Sequence, residues 1–429
     1  MSSSVPAREL GWVAELLDLQ LVVHDDQLGG GLDRLAGLAL RRNPRRAHLL
    51  VSRLLGKHLP VDPRQALAAA AQLAAQLPPE VRTAGPLVFG FAETATALGH
   101  AVAAAVEDAT YVSSTRRPGR SHLDFEEAHS HATAHRVLAP RELLAGAQDG
   151  SPQALPPVVL VDDELSTGRT ALNTIRALHA LAPRPSWTVA ALLDLRPAEA
   201  RLAFDALADE LGVPVYTVAL LSGELHVPDD AAGRAAATVA AADPVARPAP
   251  VHPVRELTAT WPAELPLGGR HGWGPELEEL LGTALKPLAA DIADALEAWL
   301  PTPDERGPRV LVLGTEELMY VPMRLAAALA DQLGPDAVVL NQSTTRSPVA
   351  PLDADGYAVR RALAFPAPDE PSRSSYVYNV GGGDVGPGSV YDAIIVVGDP
   401  ATAEGWDPML TTLSGCAPVL GLRLPESDT

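Results

Sequence analysis

At 429 residues the chain is longer than one ordinary domain, and its 47% hydrophobic content is enough for more than one buried core. A formal charge of −20 argues against nonspecific nucleic-acid binding, which needs a basic face. The single cysteine, Cys416, excludes an intrachain disulfide and a paired-cysteine metal site and is expected in a core, and no apolar run is long enough to cross a bilayer. The N-terminal segment lacks a charged stretch followed by an apolar one, so a cytoplasmic location is expected.

The elements alternate between strand and helix. Leu87–Phe91 reads as a strand, Thr94–Val106 as an Ala-rich helix and Ala109–Ser113 as a short strand. Val158–Val161 is continuously apolar, as a parallel strand buried on both faces should be. Thr170–Leu181 then reads as a helix, and Trp187–Asp194 and Val215–Leu221 as strands. The proline-rich stretch Asp229–Pro253 reads as a connection, because proline stops helices and stiffens the chain. Pro275–Leu300 has the pattern of one long amphipathic helix. A second alternation follows, with strands at Arg309–Gly314, Ala337–Leu340 and Asp392–Val397 and a helix at Val321–Leu333. Pro366–Ser375 and Gly381–Ser389 read as loops. The expected fold class is α/β with a mostly parallel sheet, divided into residues 1–230, a connection over 231–274, and a second α/β domain over 275–429.

The halves share three stretches in the same order. Gly90–Glu93 (GFAE) follows the first strand of one alternation, and Gly314–Glu317 (GTEE) that of the other. Next come SSTRRP (Ser113–Pro118) and STTRSP (Ser343–Pro348), then VVLVDD (Val158–Asp163) and IIVVGD (Ile394–Asp399). Either the second domain is a degenerate copy of the first, or α/β units resemble each other here by chance. The parallel stops after Asp399, where PATAEGWD replaces the loop that follows Asp163.

That loop belongs to the most informative stretch, VVLVDDELSTGRTALN (Val158–Asn173). Asp162 and Asp163 fall at the C-terminal end of a parallel strand, the edge where open α/β sheets bind ligands. Adjacent carboxylates there can accept hydrogen bonds from a vicinal diol. The turn that follows presents the hydroxyls of Thr167 and Thr170, and Gly168 lets the backbone come close. The helix N-terminus behind it adds partial positive charge, which suits a phosphate. A diol site beside a phosphate site describes a ribose 5-phosphate.

This segment resembles the phosphoribosyl diphosphate (PRPP) signature of type I phosphoribosyltransferases. The resemblance implies that Asp162 and Asp163 contact the ribose hydroxyls, and with them a Mg²⁺ ion carried by PRPP. It implies that Glu164, Ser166, Thr167, Gly168, Arg169 and Thr170 surround the 5-phosphate. Phe91, Ala92, Glu93 and Thr94 stand where that superfamily has its diphosphate loop. Arg116 and Arg117 open the segment where it carries a mobile catalytic loop; a solvated surface turn is the alternative for both. The whole chain is similar to a two-domain family, found beside bacterial tellurite-resistance and stress operons. There an orotate-phosphoribosyltransferase-like domain precedes one named for a TRSP motif, here Thr345, Arg346, Ser347 and Pro348. RRNPRRAHLLVSRLLGKHLPV (Arg41–Val61), FEEAHSHATAH (Phe125–His135) and LGTEELMYVPMRLA (Leu313–Ala326) match it too.

The implied activity is transfer of a phosphoribosyl group from PRPP to a nitrogen base, an orotate-like pyrimidine first, in the synthesis of a nucleoside-like product. A PRPP-sensing or complex-forming protein without turnover is the alternative. Small-molecule substrates are expected, with no nucleic acid or membrane as partner. The superfamily dimerises, so a homodimer or a pseudo-dimer within the chain is expected. In the latter, STTRSP would carry Arg346 and Ser347 to the first domain's site; otherwise Glu316, Glu317, Thr345, Arg346 and Ser347 would form a second site.

Three other features leave several readings open. Arg41–Lys57 holds six cations and no acid, for anion contacts, a hood over the base or a solvated helix face. His129, His131 and His135 are candidates for hydrogen bonds, substrate contacts or a metal, with His131 and His135 spaced to share a helix face. LDADGY (Leu352–Tyr357) starts like a calcium loop but lacks the spacing beyond Gly356.

Overall fold

The computed structural model describes residues 3–41, 47–117, 119, 121, 123–126, 134–146, 155–242, 249, 251–301, 306–381 and 390–425. Its strands, in chain order, are β1 (Ser3–Val5), β2 (Gln20–Asp26), β3 (Ala36–Leu40), β4 (His48–Ser52), β5 (Leu87–Gly90), β6 (Thr110–Thr115), β7 (Leu123–Glu126), β8 (Ala134–Val137), β9 (Val158–Leu165), β10 (Trp187–Asp194) and β11 (Val215–His226). The second half supplies β12 (Val254–Thr258), β13 (Arg309–Gly314), β14 (Val338–Ser343), β15 (Ala362–Pro366), β16 (Ser374–Tyr378), β17 (Ala393–Gly398) and β18 (Val419–Arg423).

The first sheet runs β1-β2-β11-β10-β9-β5-β6-β8-β7, and its middle five strands are parallel. The second runs β12-β18-β17-β13-β14 and is parallel throughout. Both interiors read as expected. Every residue of Trp187–Asp194 and of Ala393–Gly398 is buried, because helices cover both faces of a parallel sheet. The mostly parallel α/β architecture and the second α/β region are as the alternation predicts.

The two sheets share one strand order. Reading β6-β5-β9-β10-β11 against β14-β13-β17-β18-β12, the strands that lead into the matched motifs have the same neighbours within these five. Only β12 departs in chain order, because it precedes the other strands of its sheet. An antiparallel hairpin separates the second and third matched strands in both halves, β7–β8 in one and β15–β16 in the other. Two local hydrogen bonds recur as well. Ala92 N donates to Ser114 Oγ at 2.9 Å, and Glu316 N to Thr344 Oγ1 at 3.0 Å. Arg117 N and Ser347 N each donate to the threonine hydroxyl two residues earlier, both at 3.1 Å.

The helices that follow the matched loops, Ala95–Ala104 and Tyr320–Leu333, pack against each other between the sheets. The first is buried all round, as a helix with apolar surroundings on every side must be. Gly99 allows its contact with β5 and β6, since a Cβ there would lie 3.0 Å from Gly90 Cα and from the Tyr111 ring. One core cluster joins the halves, with Leu73 and Val102 on one side and Ile292 and Leu329 on the other.

Several elements differ from expectation. The stretch after Asp229 contains a helix, Ala231–Ala241, because its prolines begin only at Pro244 and the preceding alanines are good helix formers. Arg41–Lys57 is no helix: its described part contains β4, paired antiparallel with β3. His135 stands on β8, not on a helix, while His129 and His131 lie outside the described residues. The proposed loop Gly381–Ser389 lies outside them beyond Gly381. The calcium-like stretch is organised by ion pairs, Asp353 with Arg360 and Arg361. Burial pushes the Cys416 thiol up to about 11, which keeps it a packing residue. No described helix is long and apolar enough to cross a membrane.

Candidate active site

A cavity of about 580 Å³ opens above the carboxyl ends of β5 and β9, the edge favoured by ligands in parallel sheets. Asp162, Asp163 and Glu164 line one side, followed by Ser166, Thr167, Gly168, Arg169 and Thr170. Gly168 has φ +67°, and a Cβ there would meet the Phe204 ring at 2.5 Å. Only glycine suits both demands, so the turn closes tightly onto the helix Arg169–Leu181. The buried pair Asp194–Arg196 lies beneath it, with the Arg196 guanidinium 4.0 Å from the Phe204 ring centre.

Phe91, Ala92, Glu93 and Thr94 form the opposite wall with Arg116. The peptide bond between Ala92 and Glu93 is cis. Arg117 departs from its neighbour. It is buried outside this cavity, where its guanidinium bonds to Asp399 of the second half.

The second half completes the wall with Arg346, Ser347, Pro348, Arg373 and Tyr376. The joint is reciprocal. Glu317 accepts from Thr115 Oγ1 at 2.5 Å and from Arg116 N at 2.7 Å, while the matched Glu93 bonds to Thr345. Glu316 does not face open space: it pairs with Arg346 at 2.6 Å and with Arg373 at 2.7 Å.

Lys57 is the cation that no local motif singles out. Its Nζ donates to Thr94 Oγ1 at 2.5 Å on the cavity wall. The second half holds it there: Ser343 N donates to Gly56 O at 2.6 Å, and Val61 pairs with Asn341 across a β-bridge. Gly56 has φ +68°, and a Cβ would lie 2.7 Å from Asn341 Nδ2. The sequence signals were the acid-free cationic run and the family resemblance of Arg41–Val61, and Arg41 of the same run also lines the cavity. His58 beside it is held well below its usual pKa by burial, then by Lys57 and Arg41, and so is neutral. His135, bonded to Ser114 at 2.9 Å, lines the same wall.

The acids respond to these surroundings. Burial, then the Glu164 charge, raises the Asp163 carboxyl, while Lys57 opposes them. Burial likewise raises Glu93, against the pull of Lys57. Burial would raise Glu316 too, but Arg346 and Arg373 hold it below the ordinary range. The cavity thus offers carboxylates for hydroxyls or a hard cation at one end, and an amide-rich turn and fixed cations for anions around it. Among the described residues no three His, Cys, Asp or Glu side chains form a metal cage.

Two family models match the chain. Residues 35–224 match the family model described as "Phosphoribosyl transferase", and residues 267–413 the one described as "TRSP domain C terminus to PRTase_2". No curated protein matches the chain. Among solved structures, it is similar to adenine phosphoribosyltransferase from Rhodothermus marinus, at 18% identity, 43% of this chain, 94% of that one and a TM-score of 0.29. The Trypanosoma brucei adenine phosphoribosyltransferase, solved with AMP, pyrophosphate and ribose-5-phosphate, shows 14% identity over 47% and 82% of the chains, with a TM-score of 0.31. Orotate phosphoribosyltransferase from Aeropyrum pernix shows 19% identity over 44% and 88%, with a TM-score of 0.26.

Proposed function

Because this chain belongs to the family in which a phosphoribosyl transferase domain is followed by a TRSP domain, we propose that it transfers 5-phosphoribosyl from PRPP to a nitrogen base. One observation carries the reading: the adjacent acids Asp162 and Asp163 and the glycine turn at Gly168 open into the same cavity as Arg116 and Lys57. The proposed division is residues 1–230 for the transferase domain, 231–274 for the connection, which lends β12 to the second sheet, and 275–429 for the TRSP domain.

In this reading Asp162 and Asp163 accept hydrogen bonds from the ribose hydroxyls. Ser166 to Thr170 hold the 5-phosphate through hydroxyls, amides and the helix N-terminus. The diphosphate lies along Phe91–Thr94, facing Arg116 and Lys57. The bond from the anomeric carbon to the diphosphate oxygen breaks, and its electron pair leaves with the diphosphate. A ring nitrogen of the base forms the new bond, and its proton passes to the departing diphosphate. Fixed cations then act where negative charge develops, without reorganising at the moment of reaction. The carboxylates suit Mg²⁺, which prefers hard oxygens and keeps phosphate and water ligands, and which would offset the charge of the diphosphate it accompanies. An acidic, orotate-like pyrimidine is the favoured acceptor, because Arg41 and Lys57 add positive charge to the wall. The product is a nucleoside-like monophosphate.

The test is calorimetric titration of the full chain with PRPP and Mg²⁺, with diphosphate release assayed against a panel of bases. Binding with base-dependent release is the expected result and names the acceptor. Binding without release by any base replaces the transferase with a PRPP sensor. Absence of binding removes the reading altogether.

A further inference from the structure

The second half repeats the first down to its strand order and local hydrogen bonds, so it should contain a counterpart of the cavity. The counterpart of Asp163 is Asp399, at the end of β17. The void touching Asp399 measures about 20 Å³, far below what a sugar phosphate needs. The turn after Asp399 is a short helix, Pro400–Thr402, and Trp406 packs beneath Gly398, where a Cβ would lie 2.5 Å from its ring.

What fills the place is a side chain from the other domain. Arg117 reaches across and bonds to Asp399, with its Nε 3.9 Å from Asp369. Arg117 is 8% exposed and Asp399 3%. Nearby, Arg346 and Arg373 share Glu316 and Asp369. The three guanidiniums of Arg117, Arg346 and Arg373 meet Asp399, Asp369, Glu316 and Glu370, so each cation of the network already has a carboxylate and none is left over to recruit an anionic ligand. The loop that carries Arg117 is held on its other side as well, where Glu317 takes Thr115 Oγ1 and Arg116 N.

We infer that the TRSP domain is a spent copy whose ligand position is occupied by Arg117 of the first domain, and that the Asp399–Arg117 pair fixes the loop so that Arg116 faces the working cavity. Arg117 and Asp399 are positioning residues, and the chain holds one site built from both domains. The effect on turnover rests on the PRPP reading above; the blocked second position does not.

The experiment has two arms. Titration of the full chain with PRPP and Mg²⁺ should give one molecule per chain; two would overturn the inference while leaving the transferase reading intact. Asp399→Asn and Arg117→Ala, singly and together, form the second arm. Each should weaken inorganic diphosphate binding and kcat by about tenfold to a hundredfold, because misplaced catalytic groups are costly. The double variant should be no worse than either single one, and KM for the base should not change. Amide exchange of residues 113–117 should quicken in Asp399→Asn. Each variant leaves one charge of the pair buried, but Asp399→Asn preserves shape and leaves Arg117 beside Asp369, so it keeps the test alive if Arg117→Ala does not fold. Slow exchange and unchanged diphosphate affinity in folded Asp399→Asn would overturn the positioning role. A chain that binds no PRPP at all would sink the transferase, and the exchange result would still decide the pair.

Discussion

Asp163 combines a raised pKa with a place on the cavity wall. A ribose diol and a Mg²⁺ ion both favour its ionised form, so the bound pKa should lie below the free one. PRPP affinity should therefore be full at pH values above the raised pKa and fall as pH drops through it. A calorimetric series over pH checks this, with the slope flattened in Asp163→Asn. That variant should lose activity on the order of a hundredfold while keeping its melting temperature, as expected for a lost transition-state contact. Asp162, Asp163 and the turn to Thr170 were legible because one short stretch of chain holds them all. The place of Lys57 and the partner of Arg117 were not. Lys57 reaches Thr94 only because residues near Asn341 hold its backbone, and the partner of Arg117 is 282 positions away.

At the scale of elements, the two glycines that shape the site carry distinct predictions. Gly168→Ala places a Cβ against the Phe204 ring in a left-handed conformation, which should cost about 1–3 kcal/mol. Urea unfolding should show that loss, and calorimetry a weaker grip on PRPP. Gly56→Ala should act through the other domain, since its Cβ collides with Asn341; the expected sign is reduced diphosphate affinity as Lys57 moves. Unchanged affinity would mean that Lys57 does not need that backbone. The buried parallel strands could be read from sequence because burial on both faces leaves a plain apolar run. The β3–β4 hairpin and the antiparallel edge β1-β2 could not, because pairing partners and register depend on distant chain. The helix Ala231–Ala241 is masked in sequence by the prolines that follow it from Pro244 onward.

For the whole molecule, the order of the three repeated stretches already pointed to a repeated topology. What sequence could not supply was how the copies meet. The joint is made by Glu317 with Thr115, by Glu93 with Thr345, and by the packing of Ala95–Ala104 on Tyr320–Leu333. A core that includes Leu73 and Val102 as well as Ile292 and Leu329 belongs to neither half alone. Multidomain chains commonly unfold in steps, but a shared core couples the steps. Scanning calorimetry should therefore give one cooperative transition. Leu329→Ala, at a fully buried position, should cost about 2–5 kcal/mol and lower that whole transition. Two resolved transitions, with only the later half shifted by Leu329→Ala, would show that the halves are independent bodies and that the composite cavity is assembled by contact alone.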